Sequence, residues 1–600
     1  MSNKKTISHP IINSYVEEFS KQYEIESNGE IDAHKVFEDY INNLVLSVYC
    51  NDPNASYLDM ETGSAIGIDG IAIFVADKLI TSISDVEYIL DEVKKFDVSF
   101  YFIQSKTSPK FDRHSITDFL SSIRRFFDFS SVKCNILELQ EFWEIAKFIF
   151  SKATRFKGQP KLNTFYITLS ANNIDLKDPH LSHTIGQSIQ DINDLNLFEP
   201  IKKINFIGIQ EIMTLNSKLN TELEVVIKMA KTPLAYPKDQ SNKVKNGYYG
   251  LIQLTEFIKI LTEDIDGNKV LRRHIFDDNI RYYLGSDEKI EVNATMKEQI
   301  TGDRAYLFGM LNNGITVIAD EINLSSEELS LKNYQIVNGC QTSNVIFEVL
   351  NDIHNNSEDI YLPIRFIATE DEETKSSIIK ATNSQTTLKP EQLAALSSIQ
   401  KAIEQYYETK KKSNNFDLFY ERRTEQFRDD NVQKTKIITI PLQIKSTSAM
   451  FLDLPDEVSG QYGKVERSTR GSLFQDNHLA FLNTYYVSGL AWYRVDRFIR
   501  TNEEGKKARR ARWHLMMLLK YLLCDHNLIY KKIDRHSEEA SKKIEKKLLD
   551  EEKCNSLIMQ CLNIIKECLK THNIDYVLDR KTFERKETTT LLIQYIKQKK

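Results

Sequence analysis

The chain has 600 residues, of which 41% are hydrophobic and 27% are charged, and this is the composition of an ordinary globular protein rather than a disordered or fibrous one. At roughly 150 residues per domain, this length predicts about four domains, or three if one is large. No run approaches the roughly 18 apolar residues of a membrane span, and the N-terminus lacks the apolar segment of a secretory signal. We therefore expect a soluble, cytoplasmic protein.

The net charge of −6 is unevenly distributed along the chain. Residues 501–600 carry 23 Lys and Arg against 15 Asp and Glu, a balance of +8, which leaves −14 for residues 1–500. A basic C-terminal end could contact a phosphate backbone, although a solvated helical surface explains the same charges. Arg509 and His514 in this part have the R-x4-H spacing that HEPN-type ribonucleases use, but a solvated helix face is the simpler interpretation.

Three of the seven cysteines recur every seven residues in a helical pattern, namely Cys554, Cys561 and Cys568. Seven residues advance a helix by about 10.5 Å, which is too far for a disulfide within one helix. A thiol stripe or a ligand set is one interpretation, and a buried helix face is the favoured one.

The predicted elements alternate between helix and strand in the first part of the chain. Helical spacing of apolar residues runs from Val36 to Val48, and a strand is predicted at IAIFV. A helix over residues 84–95 and the strand VSFYFIQSK (98–106) follow, and a further helix begins near Asp112. This order predicts an α/β domain over residues 1–155.

The rest of the chain divides into three predicted regions. Strand-like runs at FYITLS, INFIGI and LEVVI indicate a connecting α/β region over 156–265. Residues 266–455 are again mixed, with strands at ITVIA, YQIV and LPIRFIA. The pattern then becomes almost entirely helical, so residues 456–600 form a helical C-terminal region. The expected fold class is a multidomain α/β and α+β protein with this helical end.

Two short motifs in the first domain suit phosphodiester hydrolysis. That reaction needs oxygen ligands for a divalent metal and a positive charge near the transition-state anion. Asp69-Gly70 precedes one predicted strand, and Gln104-Ser105-Lys106 ends the next. The period of two places Gln104 and Lys106 on the same face of their strand. Glu38, on the preceding helix, could reach the same place, and Gly70 leaves room for backbone or phosphate.

Residues 35–130 with these motifs resemble the PD-(D/E)XK nuclease superfamily, in particular the Mrr-like restriction endonucleases, in which Gln is common at the acidic position before the lysine. The resemblance implies a restriction-endonuclease-like core in which Asp69, Gln104 and Glu38 bind Mg²⁺ or Mn²⁺. It also implies that Lys106 orients water or stabilises charge. Asp39 and Glu17 are the alternatives to Glu38 as the helical acid.

Amide side chains concentrate at short turns in the middle region. Amides do not titrate, but they recognise donor and acceptor pairs such as the edge of a nucleobase. We expect one pocket or groove, and the alternative is that the amides brace loop backbones. The residues expected there are Arg281, Asn312, Asn313, Asn338, Gln341, Asn383 and Gln385.

These turns belong to phrases that resemble the AIPR family, named for abortive infection and phage resistance. The phrases are DNIRYYL, FGMLNNGITVIAD, YQIVNGCQTSNVIF, ATNSQTTLKPEQLAA and YERR, in order over about residues 270–425. The resemblance implies a bacterial antiphage defence role and no established reaction.

The expected function is thus a Mg²⁺-dependent defence nuclease whose partner is nucleic acid, with DNA expected before RNA. The alternative is a catalytically inactive nucleic-acid-binding or sensor protein that acts through the AIPR region. No membrane partner is expected, and a homo-oligomer and a phage-derived trigger are left open.

Overall fold

A computed structural model describes most of the chain and resolves it into two compact units. The first unit comprises Met1–Asp91, Lys95–Leu219 and Ser398–Lys600, and the second comprises Glu92–Lys94 and Asn220–Ser397. The residues described are 7–25, 33–49, 56–63, 65, 67–76, 78–172, 174, 178–220, 223–237, 243–265, 268–272, 275–276, 295–350, 360–383, 398–422, 426–427, 432–459, 465, 468–469, 471–524, 532–572 and 580–599.

The N-terminal part of the first unit is built on a five-stranded sheet. Its strands are β1 (Gly70–Val75), β2 (Lys78–Leu79), β3 (Val98–Lys106), β4 (Lys161–Thr168) and β5 (Asn205–Ile207). Their spatial order is β2-β1-β3-β4-β5, with antiparallel pairs from β2 to β3 and parallel pairs from β3 to β5. β3 coincides with the predicted run VSFYFIQSK, whose β-branched and aromatic residues suit a strand covered on both faces.

Helices cover both faces of this sheet. They are α1 (Pro10–Gln22), α2 (Ala33–Tyr49), α3 (Ile83–Glu92), α4 (Arg113–Phe126), α5 (Gln140–Phe150), α6 (Pro179–Asn193) and α7 (Ile209–Asn220). Ile103 of β3 joins the apolar cluster formed with α1 and α2. Phe102, on the opposite face, packs its ring against Phe126 and Phe127 at the end of α4. β3 is therefore the central strand of the layer.

The sheet continues past residue 155, where the sequence suggests a domain boundary. β4 and β5 pair in parallel with β3 and extend the same sheet, while the second unit begins its main segment at Asn220. A parallel pair needs a long crossover connection, which here contains α4 and α5. Local periodicity shows that a strand exists but not which strand it joins, so the suggested boundary lies inside the sheet.

The second unit has its own six-stranded sheet with the order β6-β12-β11-β13-β8-β7. The strands of this unit are β6 (Glu224–Lys228), β7 (Leu234–Ala235), β8 (Asn246–Gln253), β9 (Thr262–Ile265), β10 (Asn268–Leu271), β11 (Ile315–Ser325), β12 (Glu328–Asn338) and β13 (Tyr361–Ala368). Its helices are α8 (Leu254–Leu261), α9 (Phe308–Leu311), α10 (Cys340–Glu348) and α11 (Glu372–Asn383). The strands predicted at ITVIA, YQIV and LPIRFIA are confirmed as parts of β11, β12 and β13.

The helical region predicted over residues 456–600 is confirmed, but the C-terminal part of the first unit begins earlier, at Ser398, and its residues before 456 include a two-stranded parallel pair. The elements are α12 (Ser398–Asn414), β14 (Phe419–Glu421), β15 (Ile437–Thr439), α13 (Ile440–Phe451), α14 (Pro455–Val458), α15 (Leu482–Thr501), α16 (Glu503–Lys507), α17 (Arg512–Leu523), α18 (Arg535–Leu548), α19 (Glu551–Thr571), α20 (Arg580–Phe583) and α21 (Lys586–Lys599). The whole chain is thus a mixed α+β protein with a helical C-terminal region.

No helix within the described residues has the length and apolar character needed to cross a bilayer.

Candidate active site

Asp69 is fixed at the point where β1 begins beside β3. Its backbone N–H donates to the carbonyl of Ile103 at 2.8 Å. Its Oδ2 accepts from the backbone N–H of Ser105 at 2.7 Å and from the Ser105 hydroxyl at 3.4 Å. The carboxylate thereby takes the place of a strand carbonyl and holds Asp69 against the end of β3. Burial raises the pKa of Asp69, against the opposing charge of Lys106.

Gln104 and Lys106 share one face of β3, as the sequence predicts. Gln104 is 3% exposed, and its Oε1 is buried without a hydrogen-bond partner among the described residues. A buried acceptor without a donor costs about 1–3 kcal/mol, so an ion or a water at this oxygen would remove the cost. Lys106 is half-buried and ends the strand.

Glu38 of α2 lies in the same electrostatic environment as Asp69. Burial raises the pKa of the Glu38 carboxyl, and the negative charge of Asp69 raises it further. The positive charges of Lys35 and Lys106 act in the opposite direction. The pKa values of both carboxyls are raised by burial, and a cation bound between them would favour the charged form of each.

The two alternative acids on the helices occupy different surroundings. Glu17 is exposed on α1, where its Oε1 accepts from Asn13 at 2.7 Å. Asp39 is buried, which raises its pKa to about 7, and its Oδ1 lies 3.1 Å from Lys35 Nζ. Of the three acids, Glu38 is the one whose charge is coupled to both Asp69 and Lys106.

Three residues of the site were missed in the sequence. Lys35 Nζ lies 3.6 Å from Glu38 Oε2 and 3.5 Å from Glu61 Oε1. Asn42 is fully buried and donates from Nδ2 to the carbonyl of Asp69 at 3.2 Å. The i, i+3 and i, i+4 spacings around Glu38 place Lys35 and Asn42 beside it on the helix surface, and this spacing was the available signal.

Gly70 permits a close approach, but of a side chain rather than of backbone or phosphate. A Cβ at this position would lie 2.3 Å from Oδ1 and 2.9 Å from Cγ of Asn42. The absence of a side chain at Gly70 thus allows α2 to reach the carbonyl of Asp69.

The donors at this site fit a hard divalent cation with an incomplete protein ligand set. Mg²⁺ prefers oxygen ligands and keeps several waters, and the carboxylates of Asp69 and Glu38 and the amide oxygen of Gln104 are donors of this type. Within the described part of the chain, no three His, Cys, Asp or Glu side chains are grouped as metal ligands. The Oε1 of Gln104 has no hydrogen-bond partner among the described residues, so it could accept from a water or contact an ion.

Four of the amide residues expected in the second unit, Asn312, Asn313, Asn338 and Gln341, lie at one end of its sheet. Asn338 ends β12 opposite Thr316 of β11, and Gln341 lies in the first turn of α10. Asn312 precedes β11, accepts from the backbone N–H of Gly314 at 3.1 Å, and donates to the Thr342 hydroxyl at 3.0 Å.

Asn313 is exposed at the same turn, next to Asn312. Asn312 therefore braces the turn, while Asn313 remains available to solvent. Arg281 and Gln385 lie outside the described residues, as does the side chain of Asn383 at the end of α11.

The comparisons with known proteins concern mainly the second half of the chain. No curated protein matches the chain. No solved structure matches it either. The sequence pattern of the AIPR protein family matches residues 276–599, which is more than half of the chain and includes the amide turns, whereas Glu38, Asp69, Gln104 and Lys106 precede the match. Membership of this family suggests antiphage defence by abortive infection. The chain belongs to the AIPR protein family.

Proposed function

We propose that this protein is an antiphage defence nuclease that hydrolyses phosphodiester bonds in nucleic acid, with DNA as the expected substrate. The observation that carries the proposal is the shared electrostatic environment of Glu38, Asp69 and Lys106 at the end of β3. The order α2, β1, β3, α4, β4 around this point supports a PD-(D/E)XK, Mrr-like core. We expect such a protein to act in the cytoplasm.

In the proposed site, Asp69, Gln104 and Glu38 would hold Mg²⁺ or Mn²⁺. A divalent cation supplies a Lewis acid for the scissile phosphate and lowers the pKa of a bound water. Lys106 places a positive charge beside the carboxylates, where it would orient the attacking water or stabilise the developing anion. Ser105 holds Asp69 in place through its backbone N–H and its hydroxyl.

The test uses the purified full-length protein with plasmid DNA and with total RNA, in Mg²⁺ or in EDTA. We expect Mg²⁺-dependent cleavage that Lys106→Ala and Asp69→Asn each reduce by about 100-fold or more, since each removes a group that acts on the transition state or the metal. Lys110→Ala is the matched control, because Lys110 is an exposed lysine four residues further along the chain. Equal thermal unfolding of all variants shows that the fold is kept.

The same variants decide the role in cells. Lys106→Ala and Asp69→Asn should abolish phage protection, while Lys110→Ala should keep it. Continued protection by both site variants would contradict a nuclease mechanism.

A second candidate function is a nucleic-acid-binding or sensor protein that acts through the AIPR region. The observation that favours it is that the described site offers two carboxylates and an amide rather than three grouped acidic or histidine ligands. In that case Asn338→Ala combined with Gln341→Ala would remove phage protection, whereas Lys106→Ala would retain it.

A further inference from the structure

The carboxylate of Glu61 is shared by two cations from opposite ends of the chain. Lys35 Nζ of α2 lies 3.5 Å from Oε1, and Arg509 Nη1 lies 2.9 Å from Oε2. Arg509 opens the 3-10 turn Arg509–Ala511, directly before α17, in the helical C-terminal part of the first unit. Glu61 thus connects that helical part to α2.

Glu61 is connected to the candidate site through two sets of contacts. Its backbone forms an antiparallel bridge with Gly70, the residue after Asp69. Lys35, which contacts Glu61, also lies close to Glu38, with 3.6 Å between its Nζ and Oε2 of Glu38. The position of Glu61 therefore bears on both carboxylates of the site.

The guanidinium of Arg509 holds this segment at two points. Nη2 lies 3.3 Å from Asp59 Oδ1, while Nη1 contacts Glu61. A planar guanidinium can span two carboxylates in a fixed geometry, which a single ammonium cannot do. Both contacts are partly buried, so that solvent and salt screen them less than a surface pair.

Without Arg509, Lys35 would be the remaining ion-pair partner of Glu61 among the described residues, while Asp59 would keep a longer pair with Arg512 at 3.8 Å. Lys35 Nζ also lies 3.6 Å from Glu38 Oε2 and 3.1 Å from Asp39 Oδ1. Glu61 would then draw the ammonium away from Glu38, and the bridge at Gly70 would lose its clamp.

We propose that Arg509 is a positioning residue of the candidate nuclease site, which clamps Asp59 and Glu61 so that Asp69 and Glu38 keep the geometry that binds the metal. This inference rests on the proposed function and deepens it. It means that the helical C-terminal part, which lies within the AIPR match, completes the site of the N-terminal part.

The experiment measures Mn²⁺ binding by calorimetry and plasmid cleavage in Mg²⁺ for the full-length protein. Asp69→Asn first shows that the Mn²⁺ measured is bound at this site. We expect Arg509→Ala to weaken Mn²⁺ binding and to slow cleavage by about tenfold each, the lower end of the loss seen when a direct partner of a ligand is removed, because Arg509 acts through Glu61 and Lys35. Arg509→Lys should behave like Arg509→Ala, since its one ammonium cannot span both carboxylates.

Arg510→Ala is the matched control. Arg510 pairs with Glu141 of α5 and so also connects the two parts of the first unit, but away from Glu61. It should leave Mn²⁺ binding and cleavage unchanged. A double variant of Arg509→Ala with Glu61→Gln should be no worse than the more severe of the two single variants, because both act through one clamp.

The outcomes separate this inference from the proposed function. The proposed role of Arg509 would be overturned if Arg509→Ala and Arg510→Ala affected cleavage equally, or if Arg509→Lys restored full activity. Either result would leave the proposed nuclease function intact. Mn²⁺ binding that depends on Asp69 and Arg509 without any cleavage would overturn the nuclease and support the clamp. Absence of Mn²⁺ binding in the unaltered protein would overturn the clamp.

Discussion

At the scale of single residues, Asp69 depends on its neighbours for its position. Ser105 donates to its carboxylate, and Asn42 donates to its carbonyl from a fully buried side chain. The residue types Asp, Gln and Lys at 69, 104 and 106 could be read from the sequence because their spacing follows the strand. The helical spacing indicates that Asn42 lies beside Glu38, but not that it contacts Asp69, since that contact joins residues 27 positions apart.

Gly70→Ala tests this arrangement. The new Cβ would lie 2.3 Å from Asn42 Oδ1, so that the buried amide must move away from the carbonyl of Asp69. We expect a loss of about 1–3 kcal/mol in the free energy of unfolding, typical of overpacking, and a slower cleavage rate. Scanning calorimetry and plasmid cleavage measure the two effects.

Gly158→Ala is the control for that substitution, because a Cβ at Gly158 meets no atom within 4 Å. Equal melting temperatures and equal cleavage for the two variants would show that the approach of Asn42 to Gly70 is unimportant.

At the scale of elements, α19 shows how burial decides the chemistry of a sequence pattern. Cys554, Cys561 and Cys568 are each fully buried in the described structure, as the preferred interpretation of their seven-residue spacing expects. Burial raises the pKa of Cys554 to about 12 and raises the pKa values of Cys561 and Cys568. The three side chains pack as small apolar groups on one helix face.

These cysteines should therefore resist thiol reagents in the folded protein. A raised pKa keeps the thiol neutral at pH 8, and only the thiolate reacts. We expect mass spectrometry to find the three residues unlabelled by a maleimide at pH 8 and labelled after denaturation. Gln560→Cys is the positive control, because it places a thiol on the exposed side of the same helix. Native labelling of Cys561 at the rate of that control would contradict this packing.

The basic run KKARRARWH shows a different case, in which the expected solvated helix face holds for the exposed Lys506 and Lys507 but not for the whole run. His514 is fully buried, and burial lowers its pKa to about 3. Arg509 pairs with Glu61 and Arg510 with Glu141. Of the two residues with the R-x4-H spacing, His514 thus lies in the helical core and Arg509 in an ion pair.

At the scale of the whole molecule, ion pairs join the two distant segments of the first unit. Glu24, two residues after the end of α1, accepts from Arg497 Nη1 at 2.8 Å and from the hydroxyl of Tyr493 at 3.0 Å. Together with Glu61–Arg509 and Glu141–Arg510, this pair places acidic side chains of the N-terminal part against arginines of the C-terminal part. Some of the opposite charges of these two segments are thus paired with each other within the first unit.

Separately produced fragments 1–219 and 398–600 should therefore associate. We expect a complex in size-exclusion chromatography at low salt that weakens as salt rises from about 50 mM to about 500 mM, because salt screens partly exposed ion pairs. Arg497→Ala in fragment 398–600 removes the partner of Glu24 and should weaken binding to fragment 1–219. Arg535→Ala should leave that binding unchanged, since Arg535 is exposed and pairs within α18. Fragments that never associate at any salt concentration would contradict a joint unit.

The local structure and the residue types of the candidate site follow from the amino-acid sequence. The run VSFYFIQSK became β3 with Gln104 and Lys106 on one face, the strands of the AIPR phrases formed as predicted, and the last part of the chain is helical. Periodicity is a local property, and each of these features is contained within a few neighbouring residues. The AIPR phrases were recognisable for the same reason, since they are short and lie in order.

Which elements contact each other became visible in the folded chain and not before. The extension of the first sheet to β5, the approach of Asn42 to Gly70 and the pairing of Glu61 with Arg509 all join residues far apart in the chain. The last pair is separated by 448 positions, and nothing in the local pattern of either residue indicates the other. Such contacts form because folding brings whole buried faces together, and the charges at their edges are then placed by that packing.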